Sequence, residues 1–498
     1  MCSSDLSWSS WHLHRTVSDM AVLEGLKPEK VFRYFEAICQ IPHGSGNTKE
    51  LSDWLIAFAK ERGLECYQDD LNNVIIIKEA SAGYENAEPV IFQGHMDMVF
   101  DKTAGCTKDM AREGLDLVID GDVIYAKDTT LGGDDGVGVA FMLAILDDDS
   151  LKHPRVETVF TTDEETTLGG AEGIDVAPLK GKRFINLDSE DEGILTVGCA
   201  GGVAAIATLP ITREAYEGQT FRIDMTGFQG GHSGMEIIKG QENAPKTMGR
   251  LLYELQELAG ARIVATESGV ADNVIPVSAT SRFVSPDGSK VREIFAQYDE
   301  IFHHEFKSDP DFNMELTEED AGGLPMDALS GQKVLAYLCG TPNGIEKMTK
   351  GIDDLPQTSL SLGKVRTAED SVEYIFCIRS SVDTEREMLA RRLENQLHVL
   401  GGTMRREGTY PGWEYAPVSP LRELVCQVYR DQTGQEMKIE AIHAGLECGF
   451  FSAKIPGLDC VSIGPDVKDV HTTSETFSIS SAQRTWDLVV EILARMTS

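Results

Sequence analysis

From Pro28 to Asp188 this chain alternates helical stretches with short β-branched runs, and the alternation resumes near the C-terminus after a long interruption. The runs Val74-Ile-Ile-Ile77, Val90-Ile-Phe92, Val156 to Thr162 and Phe184-Ile-Asn-Leu187 are of the kind buried in a sheet covered on both faces. Before them, Val31, Phe32, Phe35, Ile38 and Ile41 recur at helical spacing until Pro42-His-Gly-Ser-Gly-Asn47 breaks the pattern. A second helix runs through Leu51, Trp54, Leu55 and Phe58 to Arg62-Gly63, and Gly136 to Leu146 reads as an apolar helix. Strands alternating with helices predict an α/β layer sandwich.

Near Gly201-Gly202 the character changes. Strands such as Phe221 to Met225 and Tyr374 to Ile378 are separated by helices at Pro245 to Leu258, Gly288 to Phe306 and Thr384 to Leu400. From about Met326 this order repeats loosely. After Pro411-Gly-Trp413 the first pattern returns as helix Leu421 to Thr433, buried strand Cys460-Val-Ser-Ile463 and closing helix Ser481 to Met496. The simplest arrangement is one α/β domain, residues 20–201 and 413–498, interrupted by an inserted α+β domain over residues 202–412.

Bulk properties exclude several classes. No stretch of about eighteen apolar residues appears, so no membrane span is expected. A net charge of −36 would repel a polyanion before contact, which argues against nucleic acid and fits a solute of the cytoplasm. The 10 cysteines form no C-x-x-C pair and read as reduced thiols of a cytosolic protein. Residues 1–19 do not match the rest of the chain, and they lack the basic start and apolar core of a secretory signal. Met20 is the expected native start, with 1–19 a non-native leader.

A sparse series of acidic and histidine residues stands at the strand ends and helix starts of the first pattern. It comprises His95 and Asp97, Asp134 within Gly132-Gly-Asp-Asp-Gly136, Glu164-Glu165, Asp188, and His471. Read singly, each has an ordinary explanation. His-x-Asp suits a solvated strand end, Asp134 a helix N-cap, Glu164-Glu165 a wet surface pair, and His471 an exposed loop. Jointly they mark the edge where open α/β sheets carry their sites. Two histidines and several carboxylates are what a pair of divalent cations needs, and nitrogen ligands suit zinc. At spacing i, i+2, Asp97 can bond the far imidazole nitrogen of His95 and fix its tautomer. One of the two glutamates can reach a metal while the other faces a water as general base. The glycine loop is no phosphate loop, because it lacks Lys-Ser/Thr and adds negative charge.

The motifs Gly94-His-Met-Asp-Met-Val99, Gly132-Gly-Asp-Asp-Gly136, Thr162-Asp-Glu-Glu165, Asn186-Leu-Asp188, Gly230-Gly-His-Ser-Gly234 and His443-Ala-Gly-Leu-Glu-Cys-Gly449 resemble the co-catalytic di-zinc metallopeptidases of the aminoacylase and carboxypeptidase clan. Within it the chain is most similar to the aminoacyl-histidine dipeptidase branch, from about Met20 to the C-terminus. The resemblance implies a three-layer α/β/α catalytic domain with a mixed, largely parallel sheet and a lid as the insertion. It implies that His95 and Asp188 hold one zinc, Glu165 and His471 the other, and that Asp134 bridges them; manganese or cobalt are alternatives to zinc. Asp97 would orient His95, Glu164 would be the general base, and a cis peptide would follow Asp134. In the lid, His232 would polarise the scissile carbonyl, Asn273 and Arg379 would contact substrate, and Gly445 would line the pocket.

The implied activity is hydrolysis of small dipeptides such as β-alanyl-histidine. Two metals lower the pKa of a water and polarise the carbonyl. Glu164 would carry the water's proton to the leaving amine, His232 would donate to the oxyanion, and Arg379 would fork onto the substrate carboxylate. A lid of this length permits a homodimer without requiring one. A broader dipeptidase or an N-acyl amino acid deacylase would use the same metals. From another class, an inactive metal-binding protein or an acidic interaction module competes, although a ligand-only relic need not retain Asp97 and Glu164.

Overall fold

The computed structural model describes residues 21–320 and 323–497. The expected leader, 1–19, lies outside the described residues. The chain divides into two compact units: one holds the residues up to Ile194, Pro420–Lys438 and Asp459 onward, the other Leu195–Ser419 and Ile439–Leu458.

In the first unit, six strands are hydrogen-bonded in the order Glu65–Gln68, Val74–Lys78, Val156–Thr161, Val90–His95, Arg183–Asn186 and Asp459–Ser462. The first two junctions are antiparallel and the remaining three parallel, so the sheet is mixed and largely parallel, as expected. Val74–Lys78, Val90–His95 and Val156–Thr161 are buried at every position, which explains why they read as unbroken apolar runs rather than alternating ones. The last strand comes from the C-terminal segment and pairs with Arg183–Asn186, so the two parts of the interrupted domain share one sheet. Helix Gly133–Leu146 is apolar all round and almost wholly buried. A small sheet joins Leu117–Asp120, Val123–Ala126, Thr476–Ser478 and Val467–Lys468, and its last two strands bracket the turn that carries His471.

The second unit is built on an antiparallel sheet ordered Asn313–Glu319, Gln219–Thr226, Ala279–Ser285, Arg262–Ser268, Pro356–Thr367, Ser371–Ser380, Gly201–Pro210 and Thr403–Tyr410. Its core joins sheet residues such as Phe221, Phe283 and Phe376 to Leu251 and Leu255 of helix Ala244–Ala259 and to Leu335, Leu338, Leu393 and Leu397 of two further helices. One segment differs from the sequence-based division. Ile439–Leu458 returns to the second unit, where the amide of Ala200 bonds the carbonyls of Ile442 (3.2 Å) and Ala444 (3.0 Å). Among the described residues no helix is long and apolar enough to cross a membrane.

Candidate metal centre and active site

Four parallel strands end at one edge of the first unit's sheet, and the acidic and histidine series begins after three of them. His95 is the last residue of its strand and is buried. Glu164 and Glu165 follow the strand Val156–Thr161 after a turn in which Asp163 is left-handed (φ 56°), and they open a four-residue helix. Asp188 follows strand Arg183–Asn186. Asp134 stands at the kinked start of helix Gly133–Leu146, with non-helical φ/ψ and a cis bond to Asp135. His471 is itself left-handed (φ 63°).

The side chains of the five expected metal ligands converge. The two oxygens of Asp134 face different histidines: Oδ1 is 3.0 Å from His95 Nε2 and Oδ2 is 3.3 Å from His471 Nε2. Asp188 Oδ1 lies 3.4 Å from the same His95 nitrogen, and Glu165 Oε2 lies 2.9 Å from that of His471. One carboxylate thus stands between two nitrogen–carboxylate pairs. The electrostatics are those of crowded acids around imidazoles. Burial opposes the His95 imidazolium, yet Asp188 and then Asp134 hold its pKa well above the usual range. Hydrogen bonds to Asp134 and then Glu165 hold His471 up to about 11. Burial drives Asp188 well above the carboxylate range.

Asp97 acts differently from the simplest expectation. His95 Nδ1 donates to the Asp97 carbonyl oxygen at 2.9 Å, whereas the Asp97 carboxylate is 3.6 Å away. The backbone therefore fixes the tautomer and leaves Nε2 facing the cluster. The carboxylate instead accepts the Ser45 hydroxyl (2.7 Å) and the amides of Glu164 (3.1 Å) and Glu165 (3.4 Å). It anchors the turn that carries both glutamates.

A second cluster lies within the other unit. The two-residue strands Gly231–His232 and Val274–Ile275 pair, and the Ser233 amide donates to the Asn273 carbonyl at 2.8 Å, bringing His232 beside Asn273. His232 Nδ1 accepts the amides of Gly234 (3.3 Å) and Met235 (3.0 Å), so its proton sits on Nε2. That nitrogen is 3.4 Å from an Arg379 terminal nitrogen. Two donors facing each other call for an acceptor placed between them. Burial, then Arg379, lowers the His232 pKa and keeps the imidazole neutral. Arg379 is 5% exposed, donates to the Tyr410 hydroxyl at 2.9 Å, and its Nε has no hydrogen-bond partner among the described residues. Gly445 packs on the Tyr410 ring, where a Cβ would come within 2.8 Å. Buried His443 bonds Ser359 Oγ at 2.7 Å; burial, then Arg379, pushes its pKa down to about 3.

The pattern of peptidase family M20/M25/M40 matches residues 91–495. The chain belongs to this family. Family members are hydrolases of peptide bonds, and this chain is one. It is 33% identical over 480 residues to the cytosol non-specific dipeptidase of Escherichia coli, covering 95% of this chain and 99% of that one. It is also similar to the crystal structure of aminoacylhistidine dipeptidase from Vibrio alginolyticus, with a TM-score of 0.91, 34% identity and coverage of 95% and 97%. An aminopeptidase from Bacillus cereus, at 16% identity and a TM-score of 0.56, shares the fold.

The donor set of this M20 chain fits divalent metal. Ligand atoms of His95, Asp134 and Glu165 all lie within 4.8 Å of one another, and Glu165 Oε1 is buried with no hydrogen-bond partner among the described residues. Imidazole nitrogens and carboxylates held this close would exchange their protons for cations, since metal ligands bind deprotonated. Sequence reading missed Tyr410, His443 and Glu475. Tyr410 borders Pro411-Gly-Trp413 and His443 opens a motif already quoted, but neither was given a role, whereas nothing local marks Glu475, a buried carboxylate that reads as surface.

Proposed function

We propose that this metal-dependent dipeptidase hydrolyses Xaa-His dipeptides, β-alanyl-histidine among them, with zinc as its metal. The observation that carries the reading is Asp134, whose two oxygens face the two histidines, with Asp188 and Glu165 as their further partners. His95 and Asp188 would hold one ion, Glu165 and His471 the other, and Asp134 both. When bound, the ions polarise the scissile carbonyl and make a water nucleophilic near neutral pH. Glu164, whose amide is tied to Asp97, takes a proton from water and returns it to the leaving amine. His232 donates its Nε2 proton to the carbonyl oxygen as negative charge develops there. Arg379 forks onto the substrate carboxylate, and Asn273 and Gly445 border the bound dipeptide.

The names of the Vibrio and Escherichia relatives support the dipeptide class, the first favouring an Xaa-His preference and the second a broader one. The net charge and the name of the Escherichia relative support a cytosolic location. A dimer is compatible with this reading and not required by it. Assay of Xaa-His, Xaa-Leu and N-acyl amino acid substrates tests it. β-Alanyl-histidine hydrolysis is expected; cleavage of N-acyl amino acids with no dipeptide turned over would overturn it.

A further inference from the structure

Helix Gly133–Leu146 begins with amides that its own sequence does not cap. The cap position, Gly132, has no side chain, and the carboxylate of Asp134 is turned to the two histidines. The donors are met instead by Glu475, more than three hundred residues away in sequence. Its Oε2 accepts the amides of Leu131 (2.8 Å) and Gly132 (3.1 Å), and its Oε1 those of Gly133 (2.7 Å) and Asp134 (3.4 Å). Glu475 is only 3% exposed, and its own amide bonds the Thr472 carbonyl (3.2 Å), one residue beyond His471. Gly133 permits this approach, since a Cβ there would lie 3.1 Å from Val467 Cγ1 and 3.3 Å from Glu475 Oε1.

We propose that Glu475 is a positioning residue which locks the Asp134 loop to the His471 turn and thereby sets the affinity of the site for its second metal. The proposal rests on the metal-ligand reading above. Four amides converging on both oxygens form an anion nest at a helix start, and a carboxylate, which accepts at both oxygens, satisfies all four. An amide in its place would turn an NH2 group towards two of the N–H donors. Because Glu475 takes the capping role, Asp134 is free to present one oxygen to each histidine. Its effect on chemistry is exerted through these ligands, without contact with substrate.

The test compares Glu475→Gln and Gly133→Ala with a control, Glu157→Gln. Glu157 is equally buried and accepts two backbone amides, those of Lys180 (2.8 Å) and Gly181 (3.0 Å), at the start of its strand rather than at the cluster. Zinc binding to stripped protein is measured by equilibrium dialysis against a competing chelator, alongside thermal melts. Wild type is expected to hold two ions per chain. Glu475→Gln should hold one with near-normal affinity and the other about 10–100-fold more weakly, the range seen for groups that orient ligands. Gly133→Ala should shift the same site in the same direction, and saturating zinc should restore kcat with KM unchanged. Glu157→Gln should lose stability without losing zinc affinity. Two ions held at wild-type affinity by both cluster variants would overturn the proposal, as would an equal loss of affinity in the control. Fewer than two ions on wild type would overturn the metal reading and this proposal with it.

Discussion

Arg379 is a buried cation that donates to the Tyr410 hydroxyl and faces the His232 imidazole, a second donor, with no anion paired to it among the described residues. Such a group is costly to keep in a folded chain unless something supplies the missing charge, and the substrate carboxylate is that partner in our account. Replacing it with methionine, similar in length and uncharged, should therefore move activity and stability in different directions. Truncating one partner of a buried, hydrogen-bonded charge pair costs about 2–5 kcal/mol. At about 1.4 kcal/mol per decade, kcat/KM for free dipeptides should fall roughly 30-fold or more, mainly through KM. The same dipeptides with an amidated C-terminus lack the charge and should change by no more than about 3-fold. Stability should hold or rise, because exchanging a buried charge for an apolar group of similar volume is commonly neutral or stabilising by about 1–4 kcal/mol, against about 1 kcal/mol lost at the Tyr410 hydroxyl. Steady-state kinetics on paired free and amidated substrates, with thermal melts, check both halves. Equal losses on the two substrate series, or a clear fall in melting temperature, would refute the reasoning and make Arg379 a structural cation.

Glu164→Gln should retain both metals, by elemental analysis, and lose turnover; full activity in that variant would remove Glu164 from the base role. Asp97→Asn should weaken metal binding or activity about 10–100-fold, because it disturbs the acceptor for Ser45 and for the amides of both glutamates; wild-type values in both assays would count against that anchor. The pKa of His443, lowered to about 3, gives a signed pH dependence. Between the unfolded value of about 6.5 and the folded value, only the unfolded chain binds the proton, so stability falls on acidification through that window. Near pH 4.5 the loss is about 3 kcal/mol. Denaturant melts of His443→Gln should show a shallower acid slope than wild type, and identical slopes would exclude His443 as the source.

Much of the first unit was legible because its parallel strands are buried on both faces and leave unbroken apolar runs such as Val74 to Ile77. The return of Asp459–Ser462 to the same sheet followed from its resemblance to those runs. Ile439–Leu458 groups with the second unit through the bonds of its carbonyls to the Ala200 amide, and such pairing leaves no periodic trace in the sequence. The convergence of His95, Asp134, Glu165, Asp188 and His471 was legible through their places at strand ends, a helix start and a turn. The helix cap that frees Asp134 was not, because it comes from Glu475 and local capping patterns look only a few residues away. The role of Asp97 was half legible. Its spacing from His95 was the right signal, but the carbonyl made the bond and the carboxylate turned to the glutamates.

The central claim is that two divalent ions, held by His95, Asp134, Glu165, Asp188 and His471, are required for dipeptide hydrolysis. Titrating chelator-stripped protein with zinc while following β-alanyl-histidine cleavage tests it most directly. The account predicts no turnover without metal and full activity as the second equivalent binds, with Asp134→Asn failing to recover at any stoichiometric addition. Undiminished hydrolysis by fully stripped protein, or full recovery of the Asp134 variant, would contradict it.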